Sequence, residues 1–420
     1  MKLMKKSKWK MAAAGSVAAA VLVTGIVNAQ LPNRAHAASW QTKNVILFVG
    51  DGMGLAARNA IRLATVGENG KLAMDDMPYV GLIHTNSTTP VTDSAASATA
   101  YASGVKTYNG AVGVDANKKN VKTIMEYAKE AGKSTGVVTT SQVTDATGAA
   151  FGAHVEDRSK QSDIALQMIT QSKIDVILGG GEDYWYPAGN PGKFKDEPSE
   201  DPSEKSKGTQ GNLISKANEL GYSYVSNEAD LKKADGTKLL GLFANEEMFQ
   251  QKPEGQGDIY NPVVSLPTMT QKALETLSKN EQGFFLMVEE EGTDEFGHQN
   301  NGEKLIKSGQ ELDKSVSIAK EFARTHPDTL VLVLADHETG GLSIEEVNDK
   351  DESGDGMSKE DGPFSIAGSD QKFVIDWTTN EHTAIDIPVT AMGKNAELFS
   401  GIYDNTEVFG KLMQTLGLIK

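Results

Sequence analysis

The sequence predicts an α/β fold, a three-layer sandwich whose central, mainly parallel sheet is flanked by helices. Three observations lead there. Short, continuous apolar runs recur along the chain, as expected of strands buried on both faces. Amphipathic stretches alternate with them, as crossover helices would. Each run also opens into glycine and polar residues, in a chain with 42 glycines and only 6% aromatics.

The first run, residues 44–49, leads into Gly50-Asp51-Gly52-Met53-Gly54. Glycines around an acid at a strand exit let backbone approach a ligand, and open α/β sheets bind ligands at that end. Residues 91–100 are almost entirely Ser, Thr and Ala, with Pro90 just upstream. Asp93-Ser94 falls where a turn becomes an Ala-rich helix. Ser94 would sit at a helix N-terminus, where unpaired N–H groups and the dipole favour an anion. The same pair also reads as an ordinary helix cap.

A short helix is expected at 123–131 and a strand at 134–140. That strand runs into Asp145 and Thr147, hard oxygen donors, and on to His154 and Arg158. Arg158 is a planar cation able to grip phosphate through two bonds, and equally able to form a surface ion pair. Residues 159–172 read as a helix and 174–178 as a strand. Polar composition at 192–211, with the repeat EPSE-DPSE, reads as a solvated excursion. Helices follow at 213–220 and 269–278, and residues 241–243 return to the interior.

The strand expected at 284–288 ends in Glu289, Glu290 and Glu291, then Asp294 and His298. The last two are four apart, so one helical turn places them on one side, a spacing that suits zinc. A solvated acidic turn is the competing reading. Residues 303–324 read as a long helix with Ile306, Leu312, Val316 and Phe322 inward. The most apolar strand, 329–335, ends in Asp336-His337, where Gly340 and Gly341 allow the chain to turn. A third histidine, His382, precedes a last strand at 387–391. Candidate acids therefore gather at strand ends: Asp51, Asp145, Glu289 and Asp336.

The acidic insert at 345–362 contains Asp349, Asp351, Ser353, Gly354 and Glu360 at EF-hand spacing, a possible Ca2+ loop. Gly356 stands where an apolar residue belongs and no flanking helices are read, so a solvated loop is the alternative.

The N-terminus reads as a targeting segment. Five lysines precede an apolar stretch at 11–27 and an Ala-x-Ala site at 35–37, so cleavage is expected after Ala37, with Ala29 as a second candidate. The protein is expected to be exported, without a stable membrane span, leaving a mature chain from residue 38. The net charge of −16 argues against nucleic acid or anionic lipid as partner. With no cysteine, any metal must be held by Asp, Glu, His, Ser or Thr.

Three histidine-bearing segments, strand-end acids, one serine and one arginine suggest two-metal phosphoryl transfer. Residues 92–100 (TDSAASATA) resemble the signature of bacterial alkaline phosphatases. Residues 44–54, 145–158, 289–298, 334–341 and 381–383 match that family's other motifs in order. The resemblance implies an alkaline phosphatase-like fold and roles for individual residues. Ser94 would be the nucleophile that becomes phosphoserine, and Arg158 the phosphate clamp. Asp294, His298 and His382 would hold one Zn2+. Asp51, Asp336 and His337 would hold the second, with Ser94. Asp51, Thr147 and Glu289 would hold Mg2+, Glu289 being preferred over its neighbours by the five-residue step to Asp294. The implied protein is a homodimer hydrolysing phosphate monoesters to alcohol and phosphate. A phosphodiesterase of the same superfamily and a non-catalytic metal- or phosphate-binding envelope protein are the alternatives. One departure stands out: Glu295 occupies a place where the family commonly has Lys, Trp or His. That implies weaker product retention and loses a possible cationic partner for Asp145. His84, His154 and His326 lack ligand-like spacing.

Overall fold

A computed structural model describes residues 42–196, 205–249, 259–347 and 359–418. The expected targeting segment, the EPSE-DPSE repeat and the calcium-like loop up to residue 358 lie outside the described residues. Glu360, the last position of that loop, is exposed on a strand.

The strands in chain order are β1 Asn44–Gly50, β2 Tyr79–His84, β3 Ser134–Gln142, β4 Val176–Gly180 and β5 Ser223–Val225. They continue with β6 Leu239–Leu242, β7 Phe284–Glu290, β8 Thr329–Leu334, β9 Glu338–Thr339 and β10 Leu342–Glu346. The last five are β11 Lys359–Ser365, β12 Lys372–Trp377, β13 His382–Thr383, β14 Ile387–Gly393 and β15 Gly401–Asp404. Among the described residues, ten of them form one sheet in the order β15-β2-β14-β8-β1-β7-β3-β4-β6-β5. Every pairing in it is parallel except those of β14, which runs antiparallel to β8 and β2. Helices cover the sheet, so β1, β7 and β8 are buried along their whole length. This is the mainly parallel α/β sandwich that the apolar runs predict.

The register levels the strand exits. Val49 pairs with Glu289 on one side and Leu334 on the other, and Thr139 also pairs with Glu289. Asp51, Glu289 and Asp336 therefore emerge at one height. The strand at 387–393 is the exception to parallel order. Its Pro388 pairs only with Leu82 of β2, because contact with β8 starts at Thr390. A residue without an amide donor is tolerated where one neighbour is missing.

The helix Ser94–Ser103 is buried at every position, which explains why all its residues but Tyr101 are small. Its Ser97 Oγ donates to Asp336 O at 2.8 Å, and Tyr101 Oη to Ala335 O at 2.8 Å, tying the helix to the exit of β8. The long helix Gly302–Thr325 buries Leu305, Leu312 and Val316 against β1, β7 and β8. Elements without a strong sequence signal are the helix Leu55–Val66, β2, β15 and the β10-β12-β11 sheet. The helix starts at Gly54 without a side-chain cap, and Tyr79–His84 is interrupted by Gly81. No helix among the described residues is long and apolar enough to cross a membrane.

Gly283 turns the chain into β7 at φ +85°, and a Cβ there would lie 2.2 Å from Lys43 O. Gly283→Ala is expected to destabilise the protein by about 1–3 kcal/mol through backbone strain and displacement at the entry of a central strand. A lowered urea midpoint with unchanged slope is the expected result; an unchanged midpoint contradicts it.

Candidate active site

Ser94 opens its helix and Asp93 caps it, Asp93 Oδ1 accepting from the Ala96 amide at 3.0 Å. Ser94 Oγ lies 3.1 Å from His337 Nε2. The serine is thus placed where helix amides and a buried imidazole meet.

His337 and Asp336 leave β8 together, both fully buried. His337 Nε2 is 3.1 Å from Asp336 Oδ2 and 3.5 Å from Asp51 Oδ1. Both of those carboxylate oxygens are buried without a hydrogen-bond partner. Asp336 is oriented by its other oxygen, which accepts from the Gly52 amide at 3.1 Å and the His337 amide at 2.9 Å. Gly52 has φ +62°, and a Cβ would meet Asp294 Oδ1 at 2.4 Å, so only glycine fits.

Asp294 and His298 share the helix Gly292–His298, with His298 Nε2 3.2 Å from Asp294 Oδ2. His382 Nε2 is 3.1 Å from His298 Nε2 and 3.7 Å from Asp294 Oδ1. His298 Nδ1 faces Asn380 O at 2.7 Å, and His382 Nδ1 faces Thr92 O at 3.0 Å. A carbonyl at Nδ1 fixes the proton there and leaves Nε2 as the coordinating atom. His337 stacks on His382, with ring centroids 3.6 Å apart. Asp294, His298 and His382 form one group with metal-ligand spacing, and Asp51, Asp294 and His337 another. Two buried oxygens without donors, beside nitrogens held for coordination, fit cations of the zinc type.

On the other side of Asp51, Thr147 Oγ1 donates to Asp51 Oδ2 at 3.3 Å, and Thr139 Oγ1 to Glu289 Oε2 at 2.7 Å. Glu290 points elsewhere: Tyr260 Oη donates to it at 2.5 Å and Thr140 Oγ1 at 2.9 Å. The all-oxygen set Asp51, Thr147 and Glu289 suits a hard cation such as Mg2+.

Arg158, about a third exposed, bridges two acids. Nη2 donates to Asp145 Oδ1 at 2.7 Å and Nη1 to Asp93 Oδ2 at 3.3 Å. Asp145 therefore has Arg158 as a cationic partner, while position 295 offers it none. Sequence reasoning did not identify Asp93 as an arginine holder. Nor did it identify Thr293 and Thr339, whose hydroxyls bond Asp51 O and the Asp294 carboxylate. Their signal is only adjacency to acids in the motifs.

The electrostatics follow from crowding. Burial, then Asp336 and Asp294, push Asp51 well above its ordinary carboxylate range. Burial pushes Glu289 to about 7 against the pull of hydroxyls from Thr139 and Thr147. Burial also opposes ionisation of Asp294, but hydrogen bonds from His298 and His382 outweigh it and hold Asp294 well below the usual range. The reciprocal effect lifts His298 to about 9, against burial. The remaining histidines are elsewhere: His84 pairs with Asp386, His154 contacts Gly113 O and Glu126, and His326 stacks on Phe322.

The model of the family described as alkaline phosphatase matches residues 42–367. The chain belongs to the alkaline phosphatase family. It is a phosphatase of that superfamily, and the family is metal-dependent. It is 32% identical to alkaline phosphatase 4 of Bacillus subtilis, with 89% of each chain covered. It is 33% identical to the Escherichia coli alkaline phosphatase, covering 90% of this chain and 86% of that one. Among solved structures, the alkaline phosphatase of the Antarctic bacterium TAB5 superposes with a TM-score of 0.73 at 32% identity, covering 90% of this chain and 100% of that one. A variant of the same TAB5 enzyme, with a TM-score of 0.71 at 31% identity, covers 90% of this chain and 99% of that one and is described with Mg bound in its M3 site.

The crowding makes metal and proton compete in this alkaline phosphatase. Glu289 rises from an ordinary 4.5 to about 7 in the metal-free fold, and His298 from 6.5 to about 9. Both groups hold protons more tightly folded than unfolded, so their contribution is full at low pH and lost as pH rises through those windows. Metal displaces the same protons. The gain in Tm on adding Zn2+ and Mg2+ to chelator-stripped protein is expected to be larger at pH 9 than at pH 6 by scanning calorimetry. An equal or smaller gain at pH 9 contradicts this.

Proposed function

We propose that the mature chain, from residue 38, is an exported phosphomonoesterase that works through a phosphoserine on Ser94. The observation that carries the reading is Asp93, which caps the helix opened by Ser94, itself 3.1 Å from His337 Nε2, and shares Arg158 with Asp145. Arg158 offers a planar fork matched to two non-bridging phosphate oxygens. A diester also offers the fork two free oxygens but carries one charge, so a monoester dianion meets the arginine with the stronger attraction. Asp93 and Asp145 fix the fork before substrate arrives, which limits the ordering cost of binding.

Ser94 Oγ gives up its proton and attacks phosphorus, an Oγ–P bond forms, and the P–O bond to the alcohol breaks on the far side, the leaving oxygen taking a proton from water. Water then attacks the phosphoserine, phosphate leaves, and Ser94 regains its hydroxyl. Asp294, His298 and His382 would hold one Zn2+; Asp51, Asp336 and His337 would hold another beside Ser94; Asp51, Thr147 and Glu289 would hold Mg2+. When bound, such cations supply Lewis acidity that lowers the pKa of a nearby hydroxyl or water and steadies the leaving oxygen. Ser97 and Tyr101 keep the serine helix against β8, so the nucleophile and His337 move as one body.

A homodimer fits the surface. Leu55 and Ile385 are 57% and 51% exposed. They line a cavity of about 670 Å³ with Ala56 and Leu342. Exposed apolar patches of this kind commonly mark interaction faces.

Ser94→Ala is expected to lower p-nitrophenyl phosphate turnover by on the order of 10³-fold or more while metal content is retained. Acid quenching of the wild type with radiolabelled phosphate should leave label on Ser94 and none on the variant. Label elsewhere, or turnover that survives the substitution, overturns the covalent route. Phosphodiester hydrolysis exceeding monoester hydrolysis in the same preparation overturns the substrate class. Glu295→Lys replaces an anion near the phosphate corner with a cation and is expected to tighten phosphate inhibition about three- to tenfold. An unchanged Ki at low ionic strength contradicts the effect assigned to Glu295.

A further inference from the structure

Beside the Asp51–Thr147–Glu289 set lies a group of carboxylates of which the phosphoryl-transfer reading uses only Asp145, as a holder of Arg158. Asp145, Glu247 and Glu291 come from three separate segments: the cap of the helix Ala146–Gly152, the connection after β6, and the exit of β7. One oxygen from each lies within 4.8 Å of the others. The three are drawn together by the fold itself, because Met248 N donates to Thr140 O at 2.9 Å and Thr140 Oγ1 accepts from the Glu291 amide at 3.0 Å.

Two of these acids have a donor. Gln142 Nε2 reaches Glu247 Oε1 at 2.5 Å, and Arg158 Nη2 reaches Asp145 Oδ1 at 2.7 Å. Glu291 differs. It is 7% exposed, and its Oε2 is buried with no hydrogen-bond partner. A buried carboxylate oxygen lacking a donor costs stability unless something positive meets it. Glu295 stands one helical turn after Glu291, its amide bonded to Glu291 O at 3.2 Å, which adds another acid to the same corner.

We propose that Asp145, Glu247 and Glu291 bind a further hard divalent cation, Mg2+ or Ca2+, distinct from the cations assigned to Asp51, Asp336 and Glu289. The donor chemistry decides the class: three carboxylates with no imidazole or thiolate select hard ions over zinc. Asp145 is also the carboxylate that holds Arg158. A cation on Asp145 draws electron density away from that ion pair and loosens the arginine toward phosphate, which links occupancy of this site to phosphate affinity.

The test uses the full chain saturated with zinc and dialysed in separate arms against millimolar Mg2+ or Ca2+, with metal content measured by mass spectrometry. Glu247→Gln removes a ligand that takes no part in the proposed hydrolysis. The expected result is one hard cation fewer per chain in Glu247→Gln than in wild type, in at least one arm, with zinc content equal. Glu291→Gln should show the same loss and guards against a folding failure of the first variant. Equal hard-cation content in wild type and the folded variant overturns the proposal. So does a loss accompanied by loss of zinc, and so does a wild-type chain that takes up no more than one hard cation in both arms.

Discussion

Like charges forced together at the ends of three adjacent parallel strands are the constraint on which the active site depends. The register that pairs Val49 with Glu289 and with Leu334 leaves Asp51, Glu289 and Asp336 no room to separate. Helices on both faces deny them water. A fold that builds this corner must offset the repulsion, and His298, lifted to about 9 beside Asp294, supplies part of the positive charge. The orphaned oxygens of Asp51 and Asp336 show that protein donors do not supply the rest. Carboxylates this close and this buried raise one another's cost of ionisation, and cations meeting the orphaned oxygens would relieve it.

Much of this was legible in the chain because the strongest patterns and the chemistry coincide. Asn44–Gly50, Phe284–Glu290 and Thr329–Leu334 carry continuous apolar runs, and an acid at or just past the end of each, Asp51, Glu289 or Asp336, reaches the candidate site. The pair Asp294 and His298 was legible for another reason: helical spacing converts a sequence step of four directly into proximity. What could not be read was side-chain partnership across long sequence gaps. Asp93 looks like a helix cap and is one, through Oδ1. Its second role, bonding Arg158 and the Gly110 amide through Oδ2, arises from loops brought together only by the finished fold. The antiparallel course of β14 was equally hidden, since an apolar run carries no sign of direction.

Arg158 illustrates how a solvent-reaching charge can still be well defined. An exposed ion pair contributes little to stability. Here two carboxylates take different nitrogens of one guanidinium, and the arginine's own amide bonds Gly110 O at 2.8 Å. The gain lies in orientation: the guanidinium is fixed between Asp93, the cap of the Ser94 helix, and Asp145. Asp93 thereby joins the helix of Ser94 to Arg158, so that displacement of one displaces the other.

The three consecutive glutamates at the exit of β7 show why a strand end is an economical place for several charged functions. Strand alternation sends Glu289 and Glu290 to opposite sides, and Glu291 has left the strand to cap the next helix. Glu290 is satisfied by Tyr260, Thr140 and the Gly292 amide, and serves the interior. Glu289 meets Thr139 beside Asp51. Glu291, past the last ladder pair, has backbone support from Thr140 but an oxygen left without a donor. A chain needing only the Asp51 corner would gain from an amide or a small residue at 291, since that would remove a buried charge. Retaining a carboxylate there, in reach of Asp145 and Glu247, is intelligible physically if the corner is completed by a cation, and the same step places that cation one ion pair away from the arginine that meets phosphate.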